Sequence, residues 1–390
     1  MPTTTCPTDI GRYHRQIILP GIGEEGQKKL GAARVLIIGA GGLGSAAGLY
    51  LATAGVGTLG IAEFDRVEES NLHRQILYDY RDIGQLKLDR ACQRLQAIDP
   101  KLNLERHPKG IQVDNAIDIL HHYDVVIDGS DNFPTRYLVN DATVLAKKPL
   151  VYGSISQFEG QVSLFSANQN CPCYRCLFPE MPEPGSIPNC AEAGVLGALC
   201  GVVGSLQAME ALKYLLGLGQ TLATKLLTIN ALTMEFRSLA IKRDPECPIC
   251  ANQPCFNDLN PANYIHPHSN LSCQTSSTTN AMNDSPIEID VEQAKAWLES
   301  EQPPLLVDVR EDNEVAICQI PESIHLPLGS LGERWQELPR DRQLLVYCHH
   351  GQRSLRATRF LRDRGLDQVT SLAGGIHQWA LKWAPDMNRY

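Results

Sequence analysis

Three groups of residues have the types and spacing to do chemistry. Cys173 and Cys176 form one CxxC in CYRC, and Cys247 and Cys250 form another in CPIC. Two such knuckles make a tetrahedral thiolate cage with no open position, which reads as a structural Zn2+ site; a redox CxxC competes but needs only one pair. Gly39, Gly41, Gly42 and Gly44 lie in GAGGLG, whose GxGxxG spacing sits between an apolar run and a helical segment. Glycines there let backbone approach phosphate, and the helix start offers free N–H donors. On the glycines alone the usual ligand is NAD or FAD. Cys348 follows a β-rich run in YCHHGQRS, with Gly351 letting the chain curl and Arg353 closing the loop. Inward N–H groups in such a loop suit a thiolate or the outer sulfur of a persulfide. A phosphatase cradle of this kind is one residue longer, so the shorter ring favours sulfur over phosphate.

Further residues add charge around the glycines. Glu63 and Asp65 end the second β-run and can hold ribose hydroxyls; Ser70, Asn71, Arg74 and Gln75 follow in SNLHRQ, and Lys87 opens the next helical segment. Asp131 and Asn132 follow DVVIDGS, while Arg12 and Arg15 precede the first strand in RYHRQIILPG. Any one of these cations alone reads as a solvated surface charge. Together they suit a triphosphate better than a dinucleotide. Cys190, in PGSIPNCAEAGVLG, stands in a Pro/Gly-rich stretch leading into an apolar helix. A thiol so placed can have a lowered pKa and attack an activated acyl group, although by position alone it is an ordinary loop cysteine.

The elements that must position these groups follow from the apolar pattern. From Ala33 to about Gly153, short β-rich runs (RVLIIG, LGIAEFD, DVVIDGS, LVYGS) alternate with helical segments at Leu43 to Ala54 and Lys87 to Ile98. Continuous apolar strands separated by helices predict α/β architecture, a doubly wound, Rossmann-like parallel sheet. From Cys255 to Pro286 the composition turns to Asn, Ser, Thr, Pro and His, which reads as a flexible linker between a first domain over 1–254 and a second over 287–390. The second, smaller α/β unit draws strands from PPLLVDVR, QLLVYCHHGQRS and QVTSLAGG, with a helix near Ser354 to Arg364.

Composition narrows the function classes. A formal net charge of −9 argues against a nucleic-acid partner. The polar N-terminal stretch carries no export signal, so a cytoplasmic protein is expected, and its 13 cysteines read as metal sites and reactive thiols rather than disulfides. The apolar stretch Gly194 to Met209 is shorter than the ~20 residues of a membrane span and reads as a buried core helix.

With these motifs in place, residues 11–250 resemble the ubiquitin-activating-enzyme-like family of MoeB and ThiF, whose members adenylate the C-terminal glycine of ubiquitin-like sulfur carriers. The resemblance implies that Gly41, Asn71, Arg74, Gln75 and Lys87 contact ATP and that Asp131 organises Mg2+ and phosphates. It also implies that Arg15 reaches into the site of a partner subunit, hence a homodimer. The family's usual ribose Asp is replaced here by Glu63, and its sulfur-handling members carry their reactive cysteine in an Asn-Cys-Ala setting like that of Cys190. Whether Cys190 forms a thioester, a mixed disulfide or an acyl persulfide stays open. From about Ile287 to Trp383 the chain resembles a rhodanese domain, with Cys348 as persulfide carrier, loaded by a donor such as a cysteine desulfurase or thiosulfate; Asp308 and Arg310 then support the fold and the loop, with a place for Arg310 near the site as the alternative. A non-catalytic rhodanese-like module is the alternative. The joint expectation is carrier adenylation on a Gly-Gly tail followed by thiocarboxylate formation, with molybdenum cofactor synthesis as the leading pathway and thiamine synthesis and tRNA thiolation as the alternatives. The rivals are an NAD-dependent oxidoreductase with an accessory rhodanese domain and a carrier-binding scaffold.

Overall fold

The RVLII run forms β1 (Arg34–Ile38), paired in parallel with β2 (Thr58–Ala62) and β4 (Val125–Asp128). β3 (Asn103–His107) extends the sheet beyond β2, and β5 (Leu150–Ser156) lies beyond β4. In this computed structural model residues 10–166, 171–182, 194–264 and 286–389 are described, and Cys190 lies outside them. Alternation along β1 decides which side of the sheet each residue covers. Val35 and Ile37 pack with residues of the helices Gly42–Ala54, Lys87–Ile98 and Gly197–Leu216. Leu36 and Ile38 pack with residues of Ala116–His121 and Phe133–Leu145. The parallel half is therefore covered on both faces, which is why its strands read as unbroken apolar runs.

Beyond β5 the sheet departs from the expected parallel pattern. β6 (Glu159–Phe165), β7 (Lys225–Asn230) and β8 (Glu235–Ala240) are antiparallel additions, completing the order β3-β2-β1-β4-β5-β6-β7-β8. The β5–β6 turn places Gln157 at φ +52°, a left-handed conformation that a non-glycine residue rarely adopts and that leaves no turn signal in the sequence.

The helix Gly197–Leu216 is the single one among the described residues that is long and apolar enough to cross a membrane. It lies against Gly42–Ala54 so closely that a Cβ at Gly204 would come 2.5 Å from the Leu43 carbonyl oxygen. Its polar residues Gln207 and Glu210 are buried, and Gln207 Nε2 donates to the carbonyls of Asp128 and Val151. These contacts make it a core helix of this unit.

The chain divides into two compact units, the first holding the described residues through Tyr264 and the second those from Pro286 onward. This corrects the start of the expected linker. Tyr264 is buried and donates its hydroxyl to Asp141 Oδ2 at 3.0 Å, and the Arg175 guanidinium lies over the Phe256 ring, so 255–264 pack with the first unit. Residues 265–285 lie outside the described residues.

The second unit is a five-stranded parallel sheet in the order β11-β10-β12-β13-β9. Its strands are β9 (Glu288–Ile289), β10 (Leu305–Asp308), β11 (Ile324–His325), β12 (Leu344–Tyr347) and β13 (Val369–Leu372). Leu344 and Val346 face one core with the helix Gln352–Arg362, while Leu345 and Tyr347 face the other with Gly375–Trp383. Just past β10, the fully buried Arg310 forks onto Asp308 and donates to the Cys318 carbonyl. As expected from sequence, this pair supports the fold; removing either member would strand a buried charge.

Candidate active sites and metal centre

The glycine loop sits where β1, β2 and β4 end. Gly39 takes φ +82°, and Gly44 approaches it so closely that a Cβ would lie 1.9 Å from the Gly39 carbonyl oxygen. The helix Gly42–Ala54 can start against the strand end only because no side chain intervenes. Gly44→Ala is therefore expected to destabilise the first unit by ~1–3 kcal/mol and to weaken nucleotide binding, read by denaturant unfolding and calorimetric titration. Wild-type affinity in that variant would show that the close approach is dispensable.

Around this loop the structure gathers most of the expected residues. Gln75 is buried with its amide beside Gly41, and its Oε1 has no hydrogen-bond partner among the described atoms. Such an orphaned acceptor wants a donor from a ligand or water. Asn71 is buried and accepts from Glu68 N, while Arg74 lies beside the Gly42 position and donates to Ser70 O. Lys87 opens its helix, buried, with Nζ 3.1 Å from Asp65 Oδ2, so a cation is held at the ends of these strands. Asn132 caps the helix Phe133–Leu145 by accepting from Thr135 N, next to the exposed Asp131.

One position differs from expectation. The longer side chain of Glu63 turns back into the loop: Oε2 accepts from Ala40 N, and Oε1 accepts from the N–H groups of Phe64 and Asp65. Three of roughly four acceptor sites are thereby used inside the protein, so Glu63 shapes the cradle more than it offers itself to a sugar. Arg15 stands exposed on the helix Ile10–Ile17, whose Gln16 donates to the Ala54 carbonyl. That anchor is at the far end of Gly42–Ala54, about 20 Å along a helix of this length from the glycine loop.

Sequence reasoning missed the support beneath this cradle. Asp128, fully buried at the end of β4, accepts from Ser130 N and Ser130 Oγ and pairs with Arg136 at 3.4 Å. Arg136 also donates to Ser130 O and lies over the Tyr152 ring. Asp128 belongs to the apolar run DVVIDGS, and nothing in the local pattern of NFPTRY marks Arg136 as returning to it.

The four thiols of the two CxxC pairs come together as the spacing requires. Cys173 Sγ lies 3.9 Å from Cys176 Sγ and 3.5 Å from Cys247 Sγ, and Cys176 Sγ lies 3.4 Å from Cys250 Sγ. A tetrahedral ion with bonds of 2.3 Å sets its sulfurs about 3.8 Å apart, so this group fits Zn2+. Nearby, Arg175 forks onto the buried Asp141 with two 2.8 Å bonds, fixing the short helix that carries Cys176.

In the second unit Cys348 is buried at the end of β12, and its Sγ accepts from Gly351 N at 3.2 Å and from Ser354 Oγ at 3.6 Å. Gly351 takes φ +95°, the turn that directs its N–H at the sulfur. The expected closure by Arg353 is different in kind: its guanidinium forks onto Glu314 with two 2.6 Å bonds, tying the helix start to the short helix Asp312–Val315. Nothing in the sequence marks Glu314 as the partner of Arg353 or Ser354 as a donor to the Cys348 sulfur. Burial, with His350 and His377 as neighbours, pushes the His349 imidazole down to about 4.

Comparison with known proteins follows the same division. The ThiF family matches residues 13–249, and the rhodanese-like domain matches residues 290–382. A sulfur carrier protein adenylyltransferase of Thermus thermophilus is 54% identical over 255 residues, covering 64% of this chain and 94% of that protein. The probable adenylyltransferase/sulfurtransferase MoeZ of Mycobacterium tuberculosis is 40% identical over 389 residues, covering 98% and 95%. The adenylyltransferase and sulfurtransferase MOCS3 of Culex quinquefasciatus is 40% identical over 386 residues, covering 95% and 87%. Among solved structures, MccB of E. coli superposes with a TM-score of 0.55 at 21% identity over 65% of this chain and 76% of that one, a likeness of fold alone.

Proposed function

As a member of the ThiF family that also carries a rhodanese-like domain, this chain, we propose, activates the C-terminus of a small sulfur carrier protein with ATP and then delivers persulfide sulfur to it. The observation that carries the reading is the union, in a chain 40% identical to an adenylyltransferase/sulfurtransferase over 98% of its length, of a glycine-tight cradle with an orphaned acceptor and a separate thiol cradle. The carrier's terminal glycine carboxylate attacks the α-phosphate of ATP, and pyrophosphate leaves. Lys87 and Arg74 offset the charge that this attack concentrates, usually the largest contribution to phosphoryl-transfer catalysis. Asp131 is the carboxylate for Mg2+, and Zn2+ is the ion for the four thiolates, where it has no open position for chemistry.

The outer sulfur of a Cys348 persulfide then attacks the acyl carbon, and AMP leaves. The product is an acyl disulfide, and a second thiol must attack the Cys348 sulfur to release the thiocarboxylate. Cys190 is the thiol we assign to that step, leaving a disulfide between the two cysteines. The reaction runs in the cytoplasm, where a dithiol reductant reduces that disulfide by thiol–disulfide exchange and is itself oxidised to a disulfide. Carriers of molybdenum cofactor synthesis with a Gly-Gly end are the first to test, ahead of those for thiamine and tRNA thiolation. Mass spectrometry of such carriers after incubation with the enzyme, ATP, thiosulfate and a dithiol reductant is expected to show replacement of the terminal hydroxyl by a thiol. An unchanged carrier mass across all three classes would overturn the reading.

The homodimer is supported by the position of Arg15, remote along the helix from its own cradle. Mixing Arg15→Ala with Asp131→Ala protomers should restore up to about a quarter of wild-type pyrophosphate exchange, because half of randomly paired dimers hold one intact composite site. No recovery after demonstrated subunit exchange would assign Arg15 to its own chain.

A further inference from the structure

His349, His350 and His377 bring one ring nitrogen each to within 4.8 Å of one another. The first two follow Cys348 in its loop, and the third lies in the first turn of the helix Gly375–Trp383. The backbone holds this arrangement together: Ile376 N donates to the Cys348 carbonyl at 2.8 Å and His377 N donates to the His349 carbonyl at 3.0 Å. A Cβ at Gly375 would lie 2.3 Å from the Cys348 carbonyl oxygen, so glycine is what lets the helix start meet the loop here. The rings of His349 and His350 stack at 4.0 Å between centroids, with His377 4.9 Å from His350. His377 Nδ1 is buried and has no hydrogen-bond partner among the described atoms. A buried imidazole nitrogen without a donor is costly, and a metal ion is one of the few ligands that satisfies it.

We propose that these three imidazoles form a second metal site, separate from the four-cysteine group, for a borderline divalent transition cation of the Zn2+ or Ni2+ class. All-nitrogen donors suit these ions, whereas Mg2+ and Ca2+ prefer oxygen. Tetrahedral geometry with bonds of 2.0–2.1 Å sets nitrogens about 3.4 Å apart, so the rings must draw in. The exposed His350 is the one with room to turn. Three histidines leave a fourth position open, unlike the closed cysteine cage. A bound ion would add positive charge beside the loop that carries Cys348, which favours a thiolate or persulfide anion there.

Full-length protein with its cysteine site loaded should take up one further equivalent of Zn2+ in equilibrium dialysis at micromolar free ion. Substituted with Co2+, that equivalent should show ligand-field bands without added thiolate-to-cobalt charge transfer, which separates it from the cysteine cage. His350→Gln and His377→Gln should each lose the extra equivalent and retain the thiolate-bound one. Because His350 is exposed, its variant tests binding with the fold intact. Uptake that stops at the cysteine-bound ion, or an extra equivalent that survives both substitutions, would overturn the site. Neither result depends on which sulfur carrier the enzyme serves.

Discussion

Replacing Cys348 with alanine is expected to lower thiosulfate sulfurtransferase activity on the order of 10³-fold or more, the scale on which loss of a nucleophile is felt. Carrier-dependent exchange of pyrophosphate into ATP should remain at wild-type levels in the same protein. The reason is spatial: Cys348 lies in the second unit, cradled by Gly351 N and Ser354 Oγ, while the glycine loop, Gln75 and Lys87 belong to the first. Asp131→Ala should do the reverse, abolishing exchange and sparing sulfurtransferase activity. A cut at Thr278 should leave both half-reactions intact and slow only their coupling, because a tether raises the effective concentration of one site near the other. Loss of adenylation on removing Cys348 or on that cut would mean that the two chemistries share machinery.

Removing the metal from the four-cysteine group should have the largest effect on stability. Structural zinc sites release roughly 10–16 kcal/mol on binding, comparable to the whole unfolding free energy of a domain. Cys173→Ser with Cys247→Ser removes two of the four ligands and leaves buried hydroxyls in an apolar setting with Ile249 and Val144. Even a loss of ~4 kcal/mol corresponds to a fall of about 10 °C in the midpoint for a domain of this size. Calorimetry should show that fall in the first transition, with the second unit's transition unmoved, and metal analysis should show loss of the ion that resists dialysis. An unshifted first transition with full metal content would remove these cysteines from the site.

Much of the candidate chemistry was readable from short motifs, because each motif encodes its own local geometry. GAGGLG specifies a strand-to-helix turn that side chains would block, and the structure provides it at Gly39 and Gly44. Lys87 opens its helix at the expected residue, since the segment Lys87–Ile98 carries a helical apolar period with Leu88, Ala91 and Leu95 inward. The antiparallel strands β6 to β8 were not readable. β8 is exposed along its whole length, so its sequence EFRSLA shows no inward face, and its place is set only by pairing with β7.

What the sequence determined by itself were contacts close along the chain or fixed by ligand count: the glycine loop, the two CxxC knuckles and the Cys348 turn. The tertiary structure alone decided which distant groups answer each other. Arg136 returns to Asp128, Glu63 folds onto Ala40 N, and Arg353 reaches Glu314 across 39 residues of chain. His377 meets His349 and His350 for the same reason, because β12 and β13 lie side by side in the sheet. A charged or polar side chain carries no code for its partner at a distance; only folding brings the pair together, and burial then makes the pairing obligatory.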